Sequence, residues 1–158
     1  MSFFSCANTN ANQVSIEGDI EGGEDGTIVR LRETKDGMFV TLHTDTIYGG
    51  KFNFTYVDTI PEVKSLVVFV SGDGFPPIWL DLWIKPGAKV KITGKDKLLR
   101  TWNVESNVAE QKEYNKYVDK SRQFLIEYQT IRCDIRNYLN LTNKSHDDKE
   151  KKLYRQKK

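Results

Sequence analysis

This chain is poor in the residues that most often carry chemistry. It has two cysteines and two histidines in 158 residues, and they do not cluster. Cys6 lies in the extreme N-terminus, while Cys133 falls inside a helical pattern. There is no Cys-x-x-Cys and no Cys/His group, so neither a zinc site nor a dithiol redox centre is expected within the chain. Long apolar runs are also lacking. None approaches the roughly 20 residues that a membrane-spanning helix requires. Nor does one sign of charge dominate, since the net charge of +2 is too small to imply a nucleic-acid partner by itself. The charge is uneven, however: Thr142 to Lys158 holds seven Lys or Arg against three acids. A solvated helix end is the common meaning of such a tail.

What is present is period-two patterning. From Gln13 to Val104, short runs of alternating apolar and polar residues are separated by turn chemistry. Val14, Ile16 and Ile20 open the series, and Val29 and Leu31 alternate with Arg30 and Arg32. Asp36-Gly37 reads as a hairpin turn, after which Met38, Val40 and Leu42 alternate toward a core. Gly49-Gly50 turns the chain into Phe52, Phe54 and Tyr56, all on one face. Leu66 to Val70 is a continuous apolar run, as in a central strand. Ile78, Leu80, Leu82 and Ile84 then alternate with Trp79, Asp81 and Trp83, and Val90 and Ile92 with lysines. Leu98 to Val104 closes the set. The fold expected is mainly β, an antiparallel sandwich or open barrel of about eight strands followed by a long C-terminal α-helix. Residues 1–12 are expected to be a residual signal or tether, 13–104 the antiparallel β-domain, and 105–158 an amphipathic helix with a charged helical tail.

The helix is read from Tyr114, Tyr117, Ser121, Phe124, Tyr128, Ile131, Ile135 and Tyr138, which recur at alternating spacings of three and four. Ser106 or Asn107 can cap it, with Glu110 placed as a capping-box partner of Asn107. Asn140 to Asn143 is expected to interrupt it, and Ser145 to Asp148 to cap a second, charged helix.

Candidate sites follow from these positions. The acidic turn Glu17, Asp19, Glu21, Glu24, Asp25 fails the calcium-loop template, since Glu24 and Arg30 stand where a glycine and a bidentate acid belong. A solvated turn is the better reading. Lys85, Lys89, Lys91, Lys95 and Lys97 gather near an aromatic strand, yet outward lysines also keep sheet edges from pairing. His43 has no serine- or cysteine-centred elbow beside it. The sharpest candidates are Trp79 and Trp83 flanking Asp81, whose indoles should project away from the core. Either the aromatic helix stripe of Tyr114, Tyr117, Phe124 and Tyr128 lies on them, or they meet a protein partner, or they stack on sugar rings. Helix docking is the favoured of the three. No catalytic, metal or cofactor residue is assigned, and no enzyme activity or cofactor is expected.

Three segments carry a resemblance: Val14 to Gly22 with Asp25 to Leu31, Trp83 to Gly94, and Glu105 to Tyr114. Together they resemble the N-terminal β-domain of unknown function that precedes thioredoxin-like domains in lipoproteins of Gram-negative gut bacteria. The family's redox chemistry sits in a downstream Cys-x-x-Cys that these 158 residues lack, so nothing catalytic carries over. The resemblance implies export to the cell envelope as a periplasm-facing lipoprotein or secreted protein. Phe3-Phe4-Ser5-Cys6 is similar to the end of a lipoprotein signal without its basic start, which makes Cys6 the expected lipid anchor. Function is therefore expected to be that of a non-catalytic binding or accessory module. The alternatives are the accessory part of a thioredoxin-like thiol-disulfide oxidoreductase and a carbohydrate-binding module using exposed tryptophans. A protein partner or thioredoxin-like domain is implied, self-association is open, and no nucleic acid is expected.

Overall fold

One tight hairpin sets the first register. In a computed structural model describing residues 11–156, apart from Asp73, Pro76 and Asp96 and with side chains as far as Asn143, Asp36 and Gly37 both take positive φ, 51° and 76°. They close the turn between β2 (Ile28–Lys35) and β3 (Met38–Thr46). Backbone of that hand matches the right-handed twist of the flanking strands. Gly49 and Gly50, at 55° and 76°, make a second tight turn, bridged by Tyr48 and Lys51, that carries the chain from the sheet of β3 into β4 (Lys51–Val57) of the other sheet. Around these form β1 (Gln13–Glu21), β5 (Lys64–Ser71), β6 (Trp79–Ile84), β7 (Lys89–Lys95) and β8 (Asn103–Ser106). The expected eight strands are all found.

They make two four-stranded sheets, ordered β4-β1-β7-β8 and β3-β2-β5-β6, which face each other as a sandwich. Pairing is antiparallel except between β1 and β7, which run parallel. Inward side chains fill the core as the alternation requires: Val14, Ile16, Leu31, Phe54, Val68, Leu82 and Ile92 are all buried. β5 is a central strand, and its run Leu66, Val67, Val68 is buried on both faces.

Glycine is used for closeness as well as for turns. Gly18 faces Phe52 across β1 and β4, and a Cβ there would fall inside the phenylalanine ring. Gly18→Ala is expected to lower stability by about 1–3 kcal/mol through overpacking. Chemical denaturation would measure it, and an unchanged midpoint would contradict the packing described.

Two expectations about the strands are corrected. The β3 side chains Met38, Val40 and Leu42 are not core but 68%, 41% and 38% exposed. β3 is an edge strand, and its hairpin end runs past the last β2–β5 pair, Glu33 with Leu66, so no facing strand covers it. An irregularity at Leu42 also shifts register, pairing Leu31 with His43 and Arg32 with Thr41. Opposed residues share a face, so His43 turns to the inner side, where its ring stacks on Tyr56 at 4.7 Å. The final segment is only half a strand, because Leu99–Thr101 forms a 3-10 turn, η1, before β8. That turn buries Leu99 and delivers Trp102 into the core.

The helix α1 (Ala109–Gln156) runs 48 residues without a break, so the second helix expected after Asn143 is a continuation of the first. Within it the Thr142 hydroxyl is satisfied by donating to the Tyr138 carbonyl at 2.6 Å. At the start, Ser106 Oγ accepts the Val108 N–H. The Asn107 side chain instead reaches the turn before β7, accepting from Lys89 N–H and donating to Gly87 O.

Candidate interaction surface

The open side of the sandwich explains how the helix is held. β6 ends one sheet and β8 ends the other, and an edge strand presents N–H and C=O groups without ladder partners. α1 lies along these two edges and η1. Its side chains answer the orphaned groups: Gln111 Oε1 accepts Trp83 N–H at 2.8 Å, and Gln129 Oε1 accepts Arg100 N–H at 2.8 Å. Asn115 Nδ2 donates to Val104 O, and Arg122 donates to Thr101 O at 2.7 Å. Gln111 and Gln129 are 1% and 0% exposed, the most buried of the described helix side chains.

The docked stripe is therefore Gln111, Asn115, Val118, Arg122, Leu125 and Gln129. It lies one residue beyond the aromatic stripe, about 100° around the helix. The expected docking is corrected accordingly. Of the aromatic stripe, only its first member meets the tryptophan strand: Tyr114 is half-buried and its hydroxyl donates to Asp81 Oδ2 at 2.8 Å. Tyr117, Phe124 and Tyr128 are 65%, 68% and 39% exposed, and Ile131, Ile135 and Tyr138 are 58%, 54% and 68% exposed. Hydropathy could not locate the docked face because it is largely polar. Its signal was the repeat of amide and arginine side chains at the same three-four spacing.

Asp81 joins helix to sheet. Its second oxygen, Oδ1, accepts the Trp79 Nε1–H at 3.0 Å, so indole and phenol are tied to one carboxylate. Trp79 projects from the core as expected, and it belongs to a cluster that the sequence reading missed. Phe39, Phe69 and Trp79 have ring centroids 5.0 to 5.6 Å apart. Arg32 sits over Phe69 at 4.6 Å and Arg100 over Trp79 at 5.4 Å, contacts of the cation–π type. A sugar stacking on Trp79 would have to displace these neighbours. Trp83 is half-buried against the core.

Two tyrosines are held protonated. Burial, then the hydrogen bond to Asp81, pushes the Tyr114 phenol well above its ordinary 10.0. Burial, then the charge of Asp58, does the same for Tyr56. Raised folded-state values mean stability that is complete below pH 10 and lost as pH climbs above it. Absorbance titration at 295 nm should therefore find Tyr56 and Tyr114 ionising only as the fold melts. Normal titration of all seven tyrosines in a chain still folded would contradict this.

The remaining candidates have ordinary partners. Asp19 pairs with Lys51 at 2.8 Å, Glu21 with Lys95 and Glu24 with Lys97 at 3.1 Å, and Asp25 accepts Gly49 N–H. Lys91 stands opposite Glu17 in the parallel register, so acids are interleaved with the lysine group. His43 and Tyr56 border a cleft of about 240 Å³ with Glu33, Asp58, Lys64 and Leu66, and its lining includes no serine, threonine or cysteine. Cys133 is half-buried on the helix flank, and burial raises its thiol pKa, away from the reactive thiolate. Cys6 lies outside the described residues. No described helix is long and apolar enough to cross a membrane. No protein-family model, curated protein or solved structure matches this chain.

Proposed function

We propose that this chain is a non-catalytic interaction module facing the periplasm, anchored by lipid at Cys6, with the outer stripe of α1 as its binding face. The observation that carries the reading is the division of labour on the helix. A polar stripe holds it to the β-domain, and an adjacent apolar stripe from Tyr117 to Tyr138 is left exposed. A row of six large apolar residues at helical spacing is more than the scattered exposure normal for a soluble surface. The envelope location is supported by the family resemblance and by Phe3-Phe4-Ser5-Cys6.

A photo-crosslinking side chain placed at Phe124, in cells making the chain, tests the face. A discrete crosslinked species is expected there, and none with the probe at Lys112, which is exposed on a different side of the helix. Failure to crosslink from Phe124, Ile131 and Tyr138 alike would sink the reading.

A second reading, the accessory part of a thioredoxin-like oxidoreductase, is favoured by the helix length. The last half-buried helix side chain among those described is Cys133, yet the helix continues to Gln156, roughly 35 Å further at 1.5 Å per residue. Such an arm suits a connector between domains. An in-frame Cys-x-x-Cys domain encoded beyond Lys158 would support it, and a stop codon there would remove it.

A further inference from the structure

We propose that the partner of the exposed helix stripe is a second copy of this chain, the two α1 helices forming a parallel two-stranded coiled coil. This rests on the reading of that stripe as a binding face and names its occupant.

The first ground is the period. From Tyr114 to Tyr138 the steps are three and four in strict alternation, the pattern of a seven-residue repeat. A straight α-helix of 3.6 residues per turn drifts about 20° per heptad against such a repeat. Only a supercoiling helical partner keeps every member of the row in the interface. Tyr114, Ser121, Tyr128 and Ile135 are then the a positions, and Tyr117, Phe124, Ile131 and Tyr138 the d positions. Ser121 is the one polar residue of the row.

The second ground is that the large apolar residues of the seam from Tyr117 onward are exposed while the helix is already anchored, Tyr114 included. The docked residues occupy b and e positions, about 100° around, so the β-domain sits beside the seam rather than on it. The seam also continues to Tyr138, past Cys133, where the β-domain ceases to cover the helix. A helix end without tertiary support is marginal in water, and pairing would supply what it lacks.

The third ground is the charge beside the seam. The g positions are Glu113, Lys120, Glu127 and Asp134, and the e positions are Val118, Leu125, Arg132 and Leu139. In a parallel, in-register pair each g residue faces the next e residue of the other copy. Glu127 then meets Arg132 of the second copy, twice by symmetry. Val118 and Leu125 are turned to the β-domain, so the other free flank contact is Asp134 with Leu139, and no like charges meet. An antiparallel pair would set g against g, and three of the four g residues are acidic. The flanks are thus complementary to themselves in one orientation.

Sedimentation equilibrium of the 158-residue chain tests the proposal. A dimer is expected, with a dissociation constant of tens of micromolar or tighter. Phe124→Glu with Ile131→Glu should return a monomer whose near-ultraviolet dichroism and β-domain melting are unchanged. Glu127→Arg should weaken the dimer about threefold to tenfold, and adding Arg132→Glu should restore it. A monomer at all concentrations, a larger assembly, or a dimer indifferent to these changes would overturn the inference. A monomer that still crosslinks from Phe124 to a different polypeptide overturns the second copy and leaves the binding face standing. A monomer with no crosslink removes both.

Discussion

Trp102→Ala should destabilise the β-domain by about 3–5 kcal/mol, the cost of removing a large side chain from a core that cannot close over the gap. Trp102 is 2% exposed, follows the 3-10 turn and meets the Phe75 ring edge-on at 6.5 Å. Its indole lies across Gly94, where any Cβ would overlap it. The site therefore couples η1, β7 and the loop before β6, and all three lose a packing surface together. Against a total stability typically of about 5–15 kcal/mol, a loss of this size would leave much of the chain unfolded at moderate temperature. Urea denaturation followed by far-ultraviolet dichroism measures it. A loss below about 1 kcal/mol would show that the indole is not the keystone described.

Gln129→Ala should cost about 1–3 kcal/mol, since it strips the Arg100 N–H of its acceptor while both remain beneath the helix. Gln111→Ala should do the same to the Trp83 N–H. The two glutamines are 18 residues apart, roughly 27 Å along the helix, so their effects should add in the double variant. Amide hydrogen exchange reports the cause directly: Arg100 and Trp83 should lose protection while the β2 and β5 amides keep theirs. The contrasting variant is Phe124→Ala, which should stay within about 0.5 kcal/mol of the parent in the isolated monomer. If Phe124→Ala were the more damaging, the helix would be docked by its aromatic stripe and the arrangement described here would be wrong.

That comparison also marks where sequence reasoning reached and where it stopped. Strand positions were legible because a pleated, half-buried strand writes its burial into alternate residues, as at Phe52 and Phe54 or Leu80 and Leu82. Turns were legible because Asp36-Gly37 and Gly49-Gly50 need positive φ, which few other residues tolerate. β3 misled, because Met38 and Val40 alternate like core residues while lying at an edge that no strand faces. Edge or centre is a property of sheet order, and local pattern does not encode sheet order. The register slip at Leu42 was hidden for a related reason, since an extra residue shows only against a partner strand. The Asp81 link to Trp79 and Tyr114 joins residues 33 positions apart, and the Phe39–Phe69–Trp79 cluster joins three strands. Trp79 was named in advance; its neighbours were not.

The sequence by itself determined eight strands, their turns, a long C-terminal helix and a heptad row of aromatic and aliphatic residues along it. These follow from periodicity and backbone preference within a few residues. Only the tertiary structure decided which stripe of that helix meets the β-domain. The reason is physical: the unpaired N–H and C=O groups along β6, β8 and η1 come together only once both sheets have formed. Side chains able to hydrogen-bond those groups, Gln111, Asn115, Arg122 and Gln129, then hold the helix, and the apolar row beside them is left facing outward.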